Sequence, residues 1–214
     1  RKVALASLDR LARKFLEYRL GQIATVTGRF YAMDRGGHFE VTESVYRALT
    51  EGAGRPVVSP RTAIESYYQS QIFDEVIPPT VIVDHNQQPV GRVEDGDAVI
   101  FFNFRSDRMR QLATAFIDPS FDKFSKKYPF LQNMYYATMT LYEKDLAASV
   151  AFPPIEIKNS LAEIISANQL TQTHIAETEK YAHVTYFFNG GREAPWPLEE
   201  REIISSPAAY VRRY

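Results

Sequence analysis

Seven consecutive residues, Ala98 to Phe104 (AVIFFNF), form the strongest apolar run in the chain, and the pattern changes period immediately after them. The length and the β-branched and aromatic content of the run specify a buried strand rather than a buried helix. Met109, Leu112, Ala113 and Phe116 then recur at helical spacing, with Ser106 in the place of an N-cap. A strand that runs straight into an amphipathic helix needs a sheet with helices packed on it.

The rest of the chain repeats this alternation. Leu8, Leu11, Ala12 and Phe15 mark a helix over 7–20, with Gly21 as its stop signal. Further helices are expected over 41–49, over 60–70 with Pro60 in its first turn, over 159–168 and over 181–188, the last closed by Gly190-Gly191. Strands are expected at 22–27, 80–84, 135–141, 171–176 and 201–205. The sum is an α/β chain whose sheet is covered on its faces. Pro153-Pro154 makes a stiff joint, and a domain boundary is placed there.

Composition narrows the function classes. With 214 residues and 45% hydrophobic content, a core can form without staples. There is no cysteine, which excludes disulfides, thiolate metal sites and a cysteine nucleophile. The formal net charge of −1 argues against a nucleic-acid binder working by bulk electrostatics. No apolar run approaches the ~20 residues of a membrane span. The start, Arg-Lys-Val-Ala, has neither an initiator Met nor the apolar core of a signal peptide, so the chain reads as a piece of something longer.

Cations gather at three strand ends. Arg29 follows Thr27-Gly28, with Arg35 six residues on. Arg105 and Arg108 flank the start of the helix after the apolar run, and Lys180 precedes the helix expected at Tyr181. A cation at a helix N-terminus is unfavourable by a few tenths of a kcal/mol up to about one, so these residues are not placed for helix stability. A bound anion reverses the argument, because cation and helix end then attract it together. Arginine matches phosphate or carboxylate as a planar fork, whereas lysine acts as a point charge. Four arginines and a lysine suit a small, doubly anionic ligand. The competing assignment is surface ion pairing, with Asp34, Asp107 and Glu179 as adjacent partners.

Other constellations are weaker. His38, His85, His174 and His183 lack metal-ligand spacing, and His183 is expected to be packed or hydrogen-bonded. Neither Gly-Gly pair is a P-loop, and no G-x-S-x-G elbow occurs. Tyr67, Tyr68, Tyr135, Tyr136, Phe187 and Phe188 are expected in the core, since no basic field accompanies them as a base-stacking platform.

Three segments, Ile23–Arg35 (IATVTGRFYAMDR), Asp95–Leu112 (DGDAVIFFNFRSDRMRQL) and Ile175–Gly191 (IAETEKYAHVTYFFNGG), resemble cofactor-independent phosphoglycerate mutase. Val150–Pro154 (VAFPP) and Ile203–Pro207 (IISSP) support the match, in the family's order and along nearly the whole chain. The resemblance implies interconversion of 3-phosphoglycerate and 2-phosphoglycerate by a two-domain, monomeric, cytoplasmic enzyme of glycolysis and gluconeogenesis. It implies that residues 1–154 are a portion of the substrate-binding phosphotransferase domain. Residues 155–214 would be part of an alkaline-phosphatase-like metal-binding domain. Arg29, Arg35, Arg105 and Arg108 would contact the substrate, and Lys180 the phosphoryl group.

The segments that resemble the family do not include its nucleophilic serine or the ligands of its two manganese ions. By the resemblance those residues lie before Arg1 and beyond Tyr214, so this chain supplies no catalytic residue and no metal ligand. The chain departs from the family in two places. Gly36-Gly37-His38-Phe39 stands where an acidic residue and an Arg-Trp pair are usual, and Ser106 replaces a proline. Besides an enzyme portion, the residues admit a non-catalytic module for a small phosphorylated acid, or a structural domain with an incomplete site.

Overall fold

The computed structural model describes residues 1–126, 131–155 and 157–206. It divides into two compact units, Arg1–Pro153 and Pro154–Tyr214.

The first unit opens on helix α1 (Ala4–Tyr18), which Arg19 ends in the left-handed conformation with its N–H on Leu16 O. Strand β1 (Thr25–Val26) is shorter than expected, because only two residues pair with β3 (Thr80–Ile82). Helix α2 (Arg29–Ala32) is a single turn, followed by α3 (Phe39–Thr50). Strand β2 (Arg55–Val57) runs parallel to β3, giving the order β1-β3-β2. Helix α4 (Pro60–Gln69) starts at Ser59, whose hydroxyl accepts from Thr62 N–H. Its Tyr67 hydroxyl meets Thr80 Oγ1 at 2.8 Å, both buried.

Strand β4 (Ala98–Phe101), helix α5 (Ser106–Ile117) and strands β5 (Tyr135–Thr140) and β6 (Ser149–Phe152) form the other half of this unit. The three strands are parallel, in the order β4-β5-β6. The main core joins Phe101, Tyr136 and Tyr142 to Met109, Leu112, Ala113 and Phe116 of α5 and to Tyr46 of α3. Phe116 is 2% exposed, and Tyr136 donates to its carbonyl at 3.0 Å. Burial pushes the Tyr136 phenol up to about 12.

The expected buried strand over 98–104 is corrected in two ways. It ends at Phe101, and only one of its faces is covered. Ile100, Phe102 and Phe104 are exposed, because the helix that packs on this strand covers the face of Val99 and Phe101. Ser106 is likewise not the cap. Arg105 holds the extended capping conformation, and Ser106 is the first helical residue. Among the proposed core aromatics, Tyr67 and Tyr136 are buried, whereas Tyr135, Phe187 and Phe188 are exposed.

The second unit contains α6 (Leu161–Ala167) and the parallel pair β7 (Gln172–Glu177) and β8 (Glu199–Ile204). Between them a 3-10 turn, Thr178–Lys180, runs into a helical stretch whose residues 183–187 are π-wound, where an ordinary helix was expected. Ser160 caps α6 by accepting from Glu163 N–H at 3.2 Å, and the Glu163 carboxylate accepts from Asn159 N–H at 2.7 Å. Replacing Ser160 with alanine is expected to lower the stability of this unit by about 1 kcal/mol, measurable by chemical denaturation.

Glu199 is the polar centre of the second unit. Its side chain is fully buried and accepts from Arg201 Nε at 2.6 Å, Asn189 Nδ2 at 2.7 Å and Trp196 N–H at 2.9 Å. Burial opposes its ionisation, but these donors outweigh burial and hold the carboxyl below its ordinary range. No helix among the described residues is long and apolar enough to cross a membrane.

Candidate functional site

The site begins with a glycine. Gly28 N–H donates to Ile77 O at 2.7 Å, and a Cβ at this position would lie 2.5 Å from Glu75 O. No side chain fits there, so the Thr27-Gly28-Arg29 turn lies flat on the 74–77 segment and Arg29 opens α2. Arg29 Nε lies 3.9 Å from Glu75. One turn of α2 then carries the chain to Asp34 and Arg35.

The loop after β4 is fixed by its carbonyls. Tyr142 Oη sits 3.0 Å from Phe101 O and 2.5 Å from Asn103 O, and Thr140 Oγ1 donates to Phe104 O at 2.9 Å. This fixed loop delivers Arg105 to the N-cap of α5 and Arg108 to its first turn.

The four arginines converge. Arg105 Nε and Nη2 donate to the two Asp107 oxygens at 2.6 and 3.1 Å, and Arg35 Nη1 donates to Asp107 Oδ2 at 2.6 Å. Arg108 lies among the others. Burial first, then the charges of Arg35 and Arg29, push its guanidinium below its ordinary value; Asp107 opposes them, and Arg105 adds a smaller push. Its Nη1 donates to Met33 O at 3.4 Å, while its buried Nε has no partner. A half-buried cation facing three like charges is a place where an added anion is favourable. The surface-pairing assignment holds in part, since Asp107 pairs with both Arg35 and Arg105. Asp34 pairs with His38 instead.

The Gly36-Gly37-His38-Phe39 departure has its own organisation. Asp34 Oδ2 accepts from Gly36 N–H, His38 N–H and Gln111 Nε2, and Gly37 N–H donates to Gln111 Oε1. Gln111 of α5 thus pins the loop beside Arg35. Sequence reading did not single out Gln111; its only signal was its place one turn after Asp107. His38 Nδ1 lies 3.1 Å from Asp34 Oδ1, and this hydrogen bond raises the imidazole above its ordinary 6.5. The raised value means that the pair's contribution is complete below pH 6.5 and is lost as pH climbs through the higher folded value. An NMR titration is expected to place His38 above 6.5, and Asp34→Asn to bring it back.

A cleft of about 410 Å³ adjoins the cluster, with Arg35, Asp107 and Gln111 on one wall and Phe39 and Phe121 on another. Lys180 belongs to the second unit, where it closes the 3-10 turn and is exposed. Ser206 holds that turn, its Oγ accepting from Glu179 N–H and its N–H donating to Thr178 Oγ1, both at 3.4 Å. Pro207 of the IISSP segment lies outside the described residues. His183 is exposed, with its ring 5.7 Å from that of Phe187. Among the described residues no group of three or more His, Asp or Glu side chains could hold a metal ion.

The fold and the cluster together define an α/β protein whose first unit presents four guanidinium groups, an arrangement able to take a small organic anion. The chain belongs to the 2,3-bisphosphoglycerate-independent phosphoglycerate mutase family: the family model described as BPG-independent PGAM N-terminus matches residues 1–144. It is 46% identical to the 2,3-bisphosphoglycerate-independent phosphoglycerate mutase of Chloroflexus aurantiacus, over 95% of this chain and 41% of that protein. It is also 46% identical to the Legionella pneumophila protein of the same name, over 95% of this chain and 39% of the other. A crystal structure of Leishmania mexicana phosphoglycerate mutase at low cobalt concentration superposes with a TM-score of 0.78 at 29% identity. That match covers 96% of this chain and 39% of the other. The chain thus spans about two fifths of the length of the relatives it matches.

Proposed function

We propose that this chain is the substrate-binding portion of an enzyme that interconverts 3-phosphoglycerate and 2-phosphoglycerate through a phosphoserine intermediate. The observation that carries the reading is the convergence of Arg29, Arg35 and Arg105 around Arg108, whose Nε is buried and unpartnered. The arginines hold the glycerate carboxylate and its remaining oxygens, so that the acid stays bound and turns between two half-reactions. Lys180 neutralises charge that spreads over the transferring phosphoryl oxygens. On this reading residues 1–154 are the phosphotransferase part and 155–214 a part of an alkaline-phosphatase-like domain.

The serine and the two manganese ions of such an enzyme would belong to residues outside this chain. The metal would supply the electrophilic pull on the phosphoryl oxygens. A monomeric parent enzyme in cytoplasmic glycolysis follows from the same reading.

The test is calorimetric titration of 3-phosphoglycerate into the 214-residue chain, paired with a mutase assay of the same preparation. Saturable binding without turnover is expected. Absence of binding would leave a structural domain alone, and turnover free of contaminating enzyme would overturn the division of labour.

A further inference from the structure

Asp107 stands between two arginines that come from distant parts of the chain. It is the second residue of α5, a position where a carboxylate favours the helix dipole. Its oxygens nevertheless accept from Arg105 at 2.6 and 3.1 Å and from Arg35 at 2.6 Å. Among the described residues, the hydrogen bonds of both guanidinium groups go to Asp107.

We propose that Asp107 is a positioning residue, a built-in counter-anion that fixes the separation of Arg35 and Arg105 and makes the site prefer a ligand with two separated anionic groups over a simple anion. The inference rests on the reading that these arginines take phosphoglycerate.

The argument has two parts of opposite sign. Arg35 and Arg105 are long side chains, 37% and 57% exposed, and without a shared partner each would sweep through solvent. A two-headed ligand needs both at one spacing; inorganic phosphate needs only one or two donors at any spacing. Asp107 also repels every incoming anion. Its carboxyl stays ionised because the Arg105 and Arg35 hydrogen bonds outweigh the cost of its burial. A simple anion must overcome that repulsion with few contacts, whereas a phosphorylated acid also meets the positive charges of Arg29 and Arg108. Neutralising Asp107 therefore strengthens the field felt by simple anions and loosens the spacing that two-headed anions require.

The experiment measures the affinity of the chain for 3-phosphoglycerate and for inorganic phosphate, in the wild type, Asp107→Asn and Asp107→Glu. Asp107→Asn is expected to bind phosphate about fivefold more tightly and 3-phosphoglycerate about fivefold more weakly. Asp107→Glu keeps the charge but moves it, so it is expected to weaken 3-phosphoglycerate while leaving phosphate binding unchanged. Equal losses for both ligands in Asp107→Asn, or no change in either, would overturn the inference while the proposed function stands. If that variant does not fold, wild-type behaviour of Asp107→Glu towards both ligands overturns it instead. A wild-type chain that binds neither ligand removes the proposed function and the inference with it.

Discussion

Glu199→Ala is expected to unfold the second unit under conditions where the wild type is native. The substitution removes a carboxylate whose side chain is fully buried and leaves Arg201, Asn189 and the Trp196 N–H without their acceptor. Breaking a buried ion pair by removing one partner costs about 3–5 kcal/mol. A unit of 61 residues has little reserve against such a loss. Hydrogen exchange along Gln172–Glu177 is the direct measurement; native protection in the variant would show that the network is dispensable. The same carboxylate sets an acid limit. Its folded pKa lies below the ordinary 4.5, so its contribution is complete above that value and disappears as pH falls through the lower one.

Arg108→Ala is expected to separate binding from stability. Losing a charge-assisted hydrogen bond to a ligand costs about 1.5–3 kcal/mol, which corresponds to a ten- to hundredfold weaker affinity for 3-phosphoglycerate. The fold, in contrast, loses little. Arg108 has one long hydrogen bond, an unused Nε and three like charges nearby, whose repulsion the substitution relieves. Calorimetry and thermal melting on one preparation distinguish the cases: a fall in melting temperature that tracks the loss of affinity would make Arg108 a structural residue.

What the sequence made legible was local. The helices at 4–18, 39–50, 60–69 and 106–117 follow from apolar spacing and end signals within a few residues of one another. Strand β2 went unseen because its middle residue is Pro56, which suits an edge strand, and β2 is an edge strand. The arginines stood out because each sits at a strand or helix end, which is again local. The partner that Arg35 shares with Arg105 lies 72 residues away, so that bond is a product of the tertiary fold. The Glu199 network is closer along the chain, joining Asn189, Trp196 and Arg201 within ten residues of the carboxylate. Burial of Ile100 and Phe102 was misread because hydrophobicity states what a residue favours, while exposure depends on which element lies over it.

Trp196 is the single tryptophan of the chain, and it belongs to the second unit, where the Arg192 guanidinium stacks 4.3 Å from the ring centre. Its emission is therefore an intrinsic reporter of that unit, silent about the tyrosine-rich core around α5. A denaturation series excited where tyrosine does not absorb would follow the second unit by itself, with no label attached.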